Sequence, residues 1–280
     1  VLAAILAFTG ACSETYGDDE PRSTTTAATT FPSHARYVAI GGSFAAGSGI
    51  PDEATSCRRS DHSYPHLVAA ALGVELVDVS CRGATTASVL DTAQDENPPQ
   101  ISAVTPDTAL VTITIGGNDL GYSATTVECA HADPRGTTCA TGRDPATTEA
   151  DVAALGRMLS AVIESVRSRA PRAVIVLVSY PRVVPPDGQT CDELSLAPDE
   201  AALVRDLGQA LEDVTVAVAE QTEVLMVDAY GPSTGHGPCA GPVARWVEGA
   251  TAESRGLPFH PNANGHRAVA DLILDALDDD

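Results

Sequence analysis

Four short segments carry side chains suited to acyl chemistry. Ser43 lies within Gly41-Gly42-Ser43-Phe44-Ala45-Ala46-Gly47, where small neighbours would let the backbone approach a ligand closely around one hydroxyl. Ser80-Cys81-Arg82-Gly83-Ala84 offers a backbone N–H at Gly83, and Gly116-Gly117-Asn118-Asp119 offers a carboxamide at Asn118. Gly256-Leu257-Pro258-Phe259-His260-Pro261-Asn262 supplies an imidazole at His260. A serine hydroxyl is a poor nucleophile until imidazole accepts its proton, and the oxyanion formed on an attacked carbonyl needs donors already in place. Hydroxyl, backbone donor, amide donor and base are together the parts of an acyl-transfer site. Singly, each signal is weak. A Gly-rich turn after a strand is often only a turn, Asn118 can cap a turn, and His260 can simply be a helix-entry residue. The first segment is not a phosphate loop, because no Lys follows Gly47.

These segments follow apolar runs that read as strands. Tyr37–Ile40, Val74–Val79, Ala109–Ile115, Ala173–Val178 and Val224–Val227 are short, β-branched and nearly continuous in hydrophobicity, as strands buried on both faces should be. Between them, Val152, Leu155, Leu159, Val162, Ile163 and Val166 recur at helical spacing, with Thr147 or Thr148 as the cap and Pro171 beyond the end. Further helices are expected over Glu200–Glu220 and Asn262–Leu277. The alternation predicts an α/β fold, a three-layer α/β/α sandwich around a five-stranded parallel sheet. Such sheets place their chemistry in loops beyond the carboxyl ends of the strands, where all four segments fall.

The whole pattern, from about Arg36 to Leu277, resembles the SGNH hydrolases, or GDSL-type esterases and lipases. It is closest to their secreted actinobacterial branch, to whose late loop Gly235-His236-Gly237-Pro238-Cys239 and Arg245-Trp246-Val247-Glu248 are similar. The resemblance implies a flavodoxin-like fold and carboxylic-ester hydrolysis through an acyl-serine intermediate. Ser43 would be the nucleophile, His260 the general base, and the N–H groups of Ser43 and Gly83 with the Asn118 amide the oxyanion hole. Gly42 stands where the family motif carries an Asp that supports the turn. Leu257 stands three residues before His260, where many members carry the triad's acid. Some members of this branch orient the histidine with a backbone carbonyl, so the expectation is a Ser43–His260 dyad with the Leu257 carbonyl against Nδ1. Asp228 or Glu253 is the alternative acid. His34, His62, His66, His131 and His266 lack a partner motif and read as surface or packing groups, while His236 stays unassigned.

Seven cysteines are odd in number. Setting Cys12 aside leaves six, which in an exported protein suggests three disulfides among 15 arrangements. With the strand order 2-1-3-4-5, the loops after strands 1 and 2 are neighbours, as are those after strands 4 and 5. Cys57–Cys81 and Cys191–Cys239 follow, with Cys129–Cys139 closing its own loop, a pattern similar to the family's. No CxxC or HExxH spacing points to a metal, and no cofactor is expected.

The 280 residues, 44% apolar, suffice for one large domain over 36–280. Sixteen basic and 38 acidic residues give a net charge of −22, which repels nucleic acid and anionic bilayers. Val1–Phe8 is apolar but too short to span a bilayer and reads as the end of a secretion signal over 1–12. Cys12 after Gly10-Ala11 resembles a lipobox, implying lipidation and a membrane tether on the outer face of the cell. Residues 13–35 read as a disordered tether. The expected partner is a small-molecule or lipid ester, with a monomer as the default state. Two alternatives remain: a degenerate ligand- or glycan-binding lipoprotein, suggested by Gly42 and Leu257, and an acyltransferase using the same dyad.

Overall fold

A computed structural model of the chain describes residues 29–51, 53–54, 56–130, 139, 145–252 and 256–279. The first strand, β1 (Arg36–Gly41), runs into a one-turn helix α1 (Ser43–Ala46). A small hairpin, β2 (Glu53–Ala54) and β3 (Arg59–Ser60), leads to α2 (Tyr64–Leu72), β4 (Glu75–Asp78) and α3 (Thr86–Leu90). Then come β5 (Thr108–Thr114), α4 (Tyr122–Ala130), α5 (Pro145–Arg169), β6 (Val174–Val178), α6 (Pro198–Thr222), β7 (Leu225–Val227) and α7 (Ala263–Asp279). The main sheet is parallel throughout in the order β4-β1-β5-β6-β7.

Strand alternation divides the apolar residues between two layers. Val38, Ile40, Val111, Ile113, Ile175 and Leu177 pack toward α3, α5 and α6, with Val89, Leu155, Leu159, Val162, Ile163, Leu207 and Leu211. Tyr37, Ala39, Leu110, Val176 and Val178 face the other way, onto Val68 of α2 and Val269, Ile273 and Leu277 of α7. Because both faces are covered, the strands need no polar alternation, which is why they read as continuous apolar runs. The result is the expected three-layer sandwich.

Three local expectations are corrected. Helix α5 begins at Pro145, so Thr147 and Thr148 lie in its first turn instead of capping it; Pro suits a first helical position because its missing N–H has no partner there. The stretch between β5 and α5, where the sequence pattern predicts no helix, contains α4. Residues 29–35, assigned by composition to the tether, lie on the domain: Thr29 N–H donates to the Leu277 carbonyl, and Phe31 packs beside the α2–α7 layer. One aromatic side chain anchors what its polar neighbours would leave free. The signal and lipobox expectation, with Cys12, falls outside the described residues.

Candidate active site

The β1–α1 turn places Ser43 at the carboxyl end of β1, an interior strand flanked by β4 and β5. Gly41 makes this possible, since a Cβ there would sit 2.5 Å from the Thr114 carbonyl oxygen and 2.7 Å from Ala45 Cβ. Gly42 donates to the same carbonyl at 3.1 Å. The buried Gln100 holds the turn as well: its Oε1 accepts from Gly41 N–H at 2.9 Å and its Nε2 donates to Gly41 O at 3.0 Å. A primary amide matches a peptide group in this two-bond pairing, so Gln100 braces a turn that lacks the motif's acidic side chain. Nothing in the spacing of the sequence marked Gln100, because it acts through the fold and lies 59 positions from Gly41.

Across 217 positions of chain, Ser43 Oγ lies 2.8 Å from His260 Nε2, and both residues are buried. His260 Nδ1 lies 2.8 Å from the Pro258 carbonyl oxygen. A carbonyl only accepts, so Nδ1 carries the proton and Nε2 is free to accept from the serine hydroxyl. The Leu257 carbonyl therefore does not hold the ring, contrary to expectation. It accepts instead from the His260 backbone N–H at 3.2 Å, closing a turn. Phe259, in the left-handed region at φ 58°, turns the chain so that the Leu257 carbonyl is used by the backbone and that of Pro258 by the ring. Asp228 lies elsewhere, exposed, accepting from Gly231 N–H, and Glu253 lies outside the described residues.

The histidine loop is fixed from several sides. Glu248 N–H donates to His260 O at 3.0 Å, Asn262 N–H to Trp246 O at 2.8 Å, and Phe259 N–H to Gly249 O at 3.4 Å. The buried Arg245 and Glu248 face each other at 3.9 Å, and Asn262 Nδ2 donates to Glu248 Oε1. The late-loop residues thus form the bed of the His260 loop. Gly49, at φ 96°, passes so close that a Cβ would be 2.4 Å from Leu257 N.

Burial drives the His260 pKa down to about 4; the Pro258 hydrogen bond opposes this, and the Arg82 charge adds to it. Phe44 packs against the imidazole, ring centroids 4.9 Å apart, and against Tyr180 on its other side. Tyr180 Oη accepts from Gly117 N–H, bracing the loop of Asn118. Asn118 Nδ2 donates to Ala84 O at 2.8 Å and lies 3.3 Å from where a Gly42 Cβ would be, so the amide borders the serine turn. Asp119 accepts from Thr86 N–H, tying this loop to α3. Neither Ser43 N–H nor Gly83 N–H has a protein acceptor among the described residues. The loop carrying Gly83, at φ 80°, is tied to the serine turn by the Cys81 N–H, which donates to Gly41 O at 2.9 Å.

The loops are stapled by Cys57–Cys81, Cys129–Cys139 and Cys191–Cys239, the three expected pairs. The two longer-range disulfides join neighbouring strand-end loops, as the strand order requires. His266, behind the site, accepts from Tyr64 N–H through Nδ1, and burial holds its pKa down to about 3, with the His260 charge a lesser cause. His236 stacks on Trp246 and bonds the Ala244 carbonyl. A groove of about 860 Å³ between α5 and α6 is lined by none of the residues named at the site.

The model of the GDSL-like lipase/acylhydrolase family matches residues 39–268, most of the chain. The chain belongs to that family. As a GDSL-like acylhydrolase it is a carboxylic-ester hydrolase, and its relatives extend over nearly its whole length. It is 34% identical to Lipase 2 of Streptomyces coelicolor over 251 residues, which cover 86% of this chain and 85% of the relative. It is similar to the solved extracellular lipase of Streptomyces rimosus, with a TM-score of 0.72 and 30% identity over 86% of this chain and 99% of the other. The solved phospholipase A1 of Streptomyces albidoflavus NA297 gives a TM-score of 0.73 at 27% identity, covering 88% and 99%.

Proposed function

We propose that this GDSL-like acylhydrolase works through a Ser43–His260 dyad and an acyl-serine intermediate. The observation carrying this is the Ser43–His260 contact of 2.8 Å with a carbonyl 2.8 Å behind the ring. His260 Nε2 takes the Ser43 proton as Oγ bonds to the ester carbon. The oxyanion draws hydrogen bonds from Ser43 N–H, Gly83 N–H and the second Asn118 Nδ2 proton, each worth about a hundredfold or more in rate. The imidazolium then gives its proton to the leaving alcohol, and water, activated by the same nitrogen, releases the acid. The Pro258 carbonyl, like an acid at that position, holds the ring with Nδ1 protonated throughout.

The protein is exported, as its extracellular relative is, and tethered through lipidated Cys12. A non-hydrolytic role draws its support from Gly42 and the missing acid, and the Gln100 brace and the Pro258 carbonyl supply both missing functions by other groups. Ser43→Ala should lower ester turnover by about ten-thousandfold with the melting temperature intact. Retained turnover would end the assignment. Product analysis with a sugar or lipid alcohol present separates hydrolysis from acyl transfer.

A further inference from the structure

Arg82 sits between the disulfide-bonded Cys81 and Gly83, the residue whose N–H faces the developing oxyanion in the reading above. Its backbone is held on both sides: the N–H donates to Cys57 O at 3.1 Å, and the carbonyl accepts from Gln94 Nε2 at 2.7 Å. The guanidinium has neither a hydrogen bond nor an ion pair among the described residues, and Arg82 is exposed. Arg157, Arg169 and Arg172 are likewise without a partner among the described residues, but of these four only Arg82 adjoins Gly83. The Cys57–Cys81 bond also brings Arg58 and Arg59 to this rim. Arg59 is occupied, donating from Nη1 to Ser80 O at 2.8 Å. Among the carboxylates of the adjoining loops, Asp78 Oδ1 accepts from Ser80 and Asp119 from Thr86. The Arg82 charge is also the one whose field reaches His260.

We infer that Arg82 is a specificity-determining residue that recognises an anionic oxyacid group, carboxylate or phosphate, on the ester being hydrolysed. The inference rests on Ser43 as the nucleophile. With the carbonyl oxygen at Gly83 N–H, a substituent a few bonds away comes within reach of the adjacent guanidinium, which can bond such a group through two parallel N–H donors. The overall charge of −22 disfavours anions at long range but is screened beyond about 8–10 Å, so a contact with Arg82 decides the matter locally.

The test compares kcat/KM within two substrate pairs: butyrylglycerol phosphate against butyrylglycerol, and the butyryl ester of hydroxybenzoate against that of its methyl ester. Wild type should favour the anionic member of each pair. In Arg82→Gln the anionic-to-neutral ratio should fall about tenfold, in Arg82→Glu further, and in Arg82→Lys less, since Lys keeps the charge but loses the fork. Raising salt from about 20 to about 500 mM should shrink the wild-type preference, whereas the Arg82→Gln ratio should not fall and should rise as the chain's net negative charge is screened. Equal ratios in wild type, Arg82→Gln and Arg82→Glu would overturn the inference. Hydrolysis of the neutral esters by wild type, with its loss in Ser43→Ala, reports on the dyad separately, so the two readings fail in distinguishable ways.

Discussion

On the proposed dyad, acidification titrates His260, and the burial of its ring sets where this should happen. His260 must be neutral to accept the Ser43 proton, and burial lowers its pKa from 6.5 to about 4. The displacement corresponds to roughly 3 kcal/mol favouring neutral imidazole in the folded protein. Since kcat/KM reports the free enzyme, its acid limb with a neutral chromogenic ester should bend near pH 4, leaving activity at pH 5–6 close to that at pH 7. Unfolding sets a boundary on the assay. His260 and His266 are both depressed, so their stabilising contribution is complete above pH 6.5 and is lost as pH falls through their folded values of about 4 and about 3. Fluorescence melts at each pH, and recovery of activity after return to neutrality, separate titration from denaturation. A reversible inflection between pH 6 and 7 in folded enzyme would refute burial as what controls the protonation of His260.

Gly49→Ala forces a methyl against Leu257 at a left-handed backbone position, so it should displace the His260 loop and cut kcat at least tenfold with a smaller effect on KM; unchanged kcat would show that the loop absorbs the contact. Burial raises Glu212 to about 7, against its hydrogen bond from Ser179, and its Oε2 has no partner. Raised carboxyl groups stabilise below their unfolded pKa and lose that contribution as pH rises through the folded value, so Glu212→Gln should add about 1 kcal/mol at pH 8, after allowing for solvent screening, and little at pH 5. Denaturant melts at the two pH values check it, and equal effects at both would contradict it. Reducing Cys191–Cys239, which spans 48 positions, should destabilise the protein by about 4 kcal/mol on the chain-entropy account, and thermal melts with and without reductant measure this.

Much of this arrangement was legible in the sequence because its signals are local. Continuous β-branched runs marked the five central strands, and the loops after them marked Ser43, Gly83, Asn118 and His260. The cysteine partners followed once the strand order was fixed. What escaped depends on backbone direction and long-range packing. Whether Leu257 or Pro258 meets the imidazole is decided by the left-handed turn at Phe259, which no composition rule assigns to an aromatic residue. Gln100 looks like any loop glutamine until the fold lays it along Gly41. Helix α4 was hidden by its low hydrophobic contrast, Tyr122, Thr126, Cys129 and Ala130 being its buried residues. Phe31 is a single anchor in a polar stretch, too little to register in a window average.

The central claim, that Ser43 becomes covalently acylated with His260 as its base, is tested most directly by a fluorophosphonate probe followed by peptide mass mapping. Wild type should gain one adduct, on the peptide containing Ser43; His260→Ala should label far more slowly, and Ser43→Ala not at all. An active enzyme that takes no label, or a label on another serine, would contradict it.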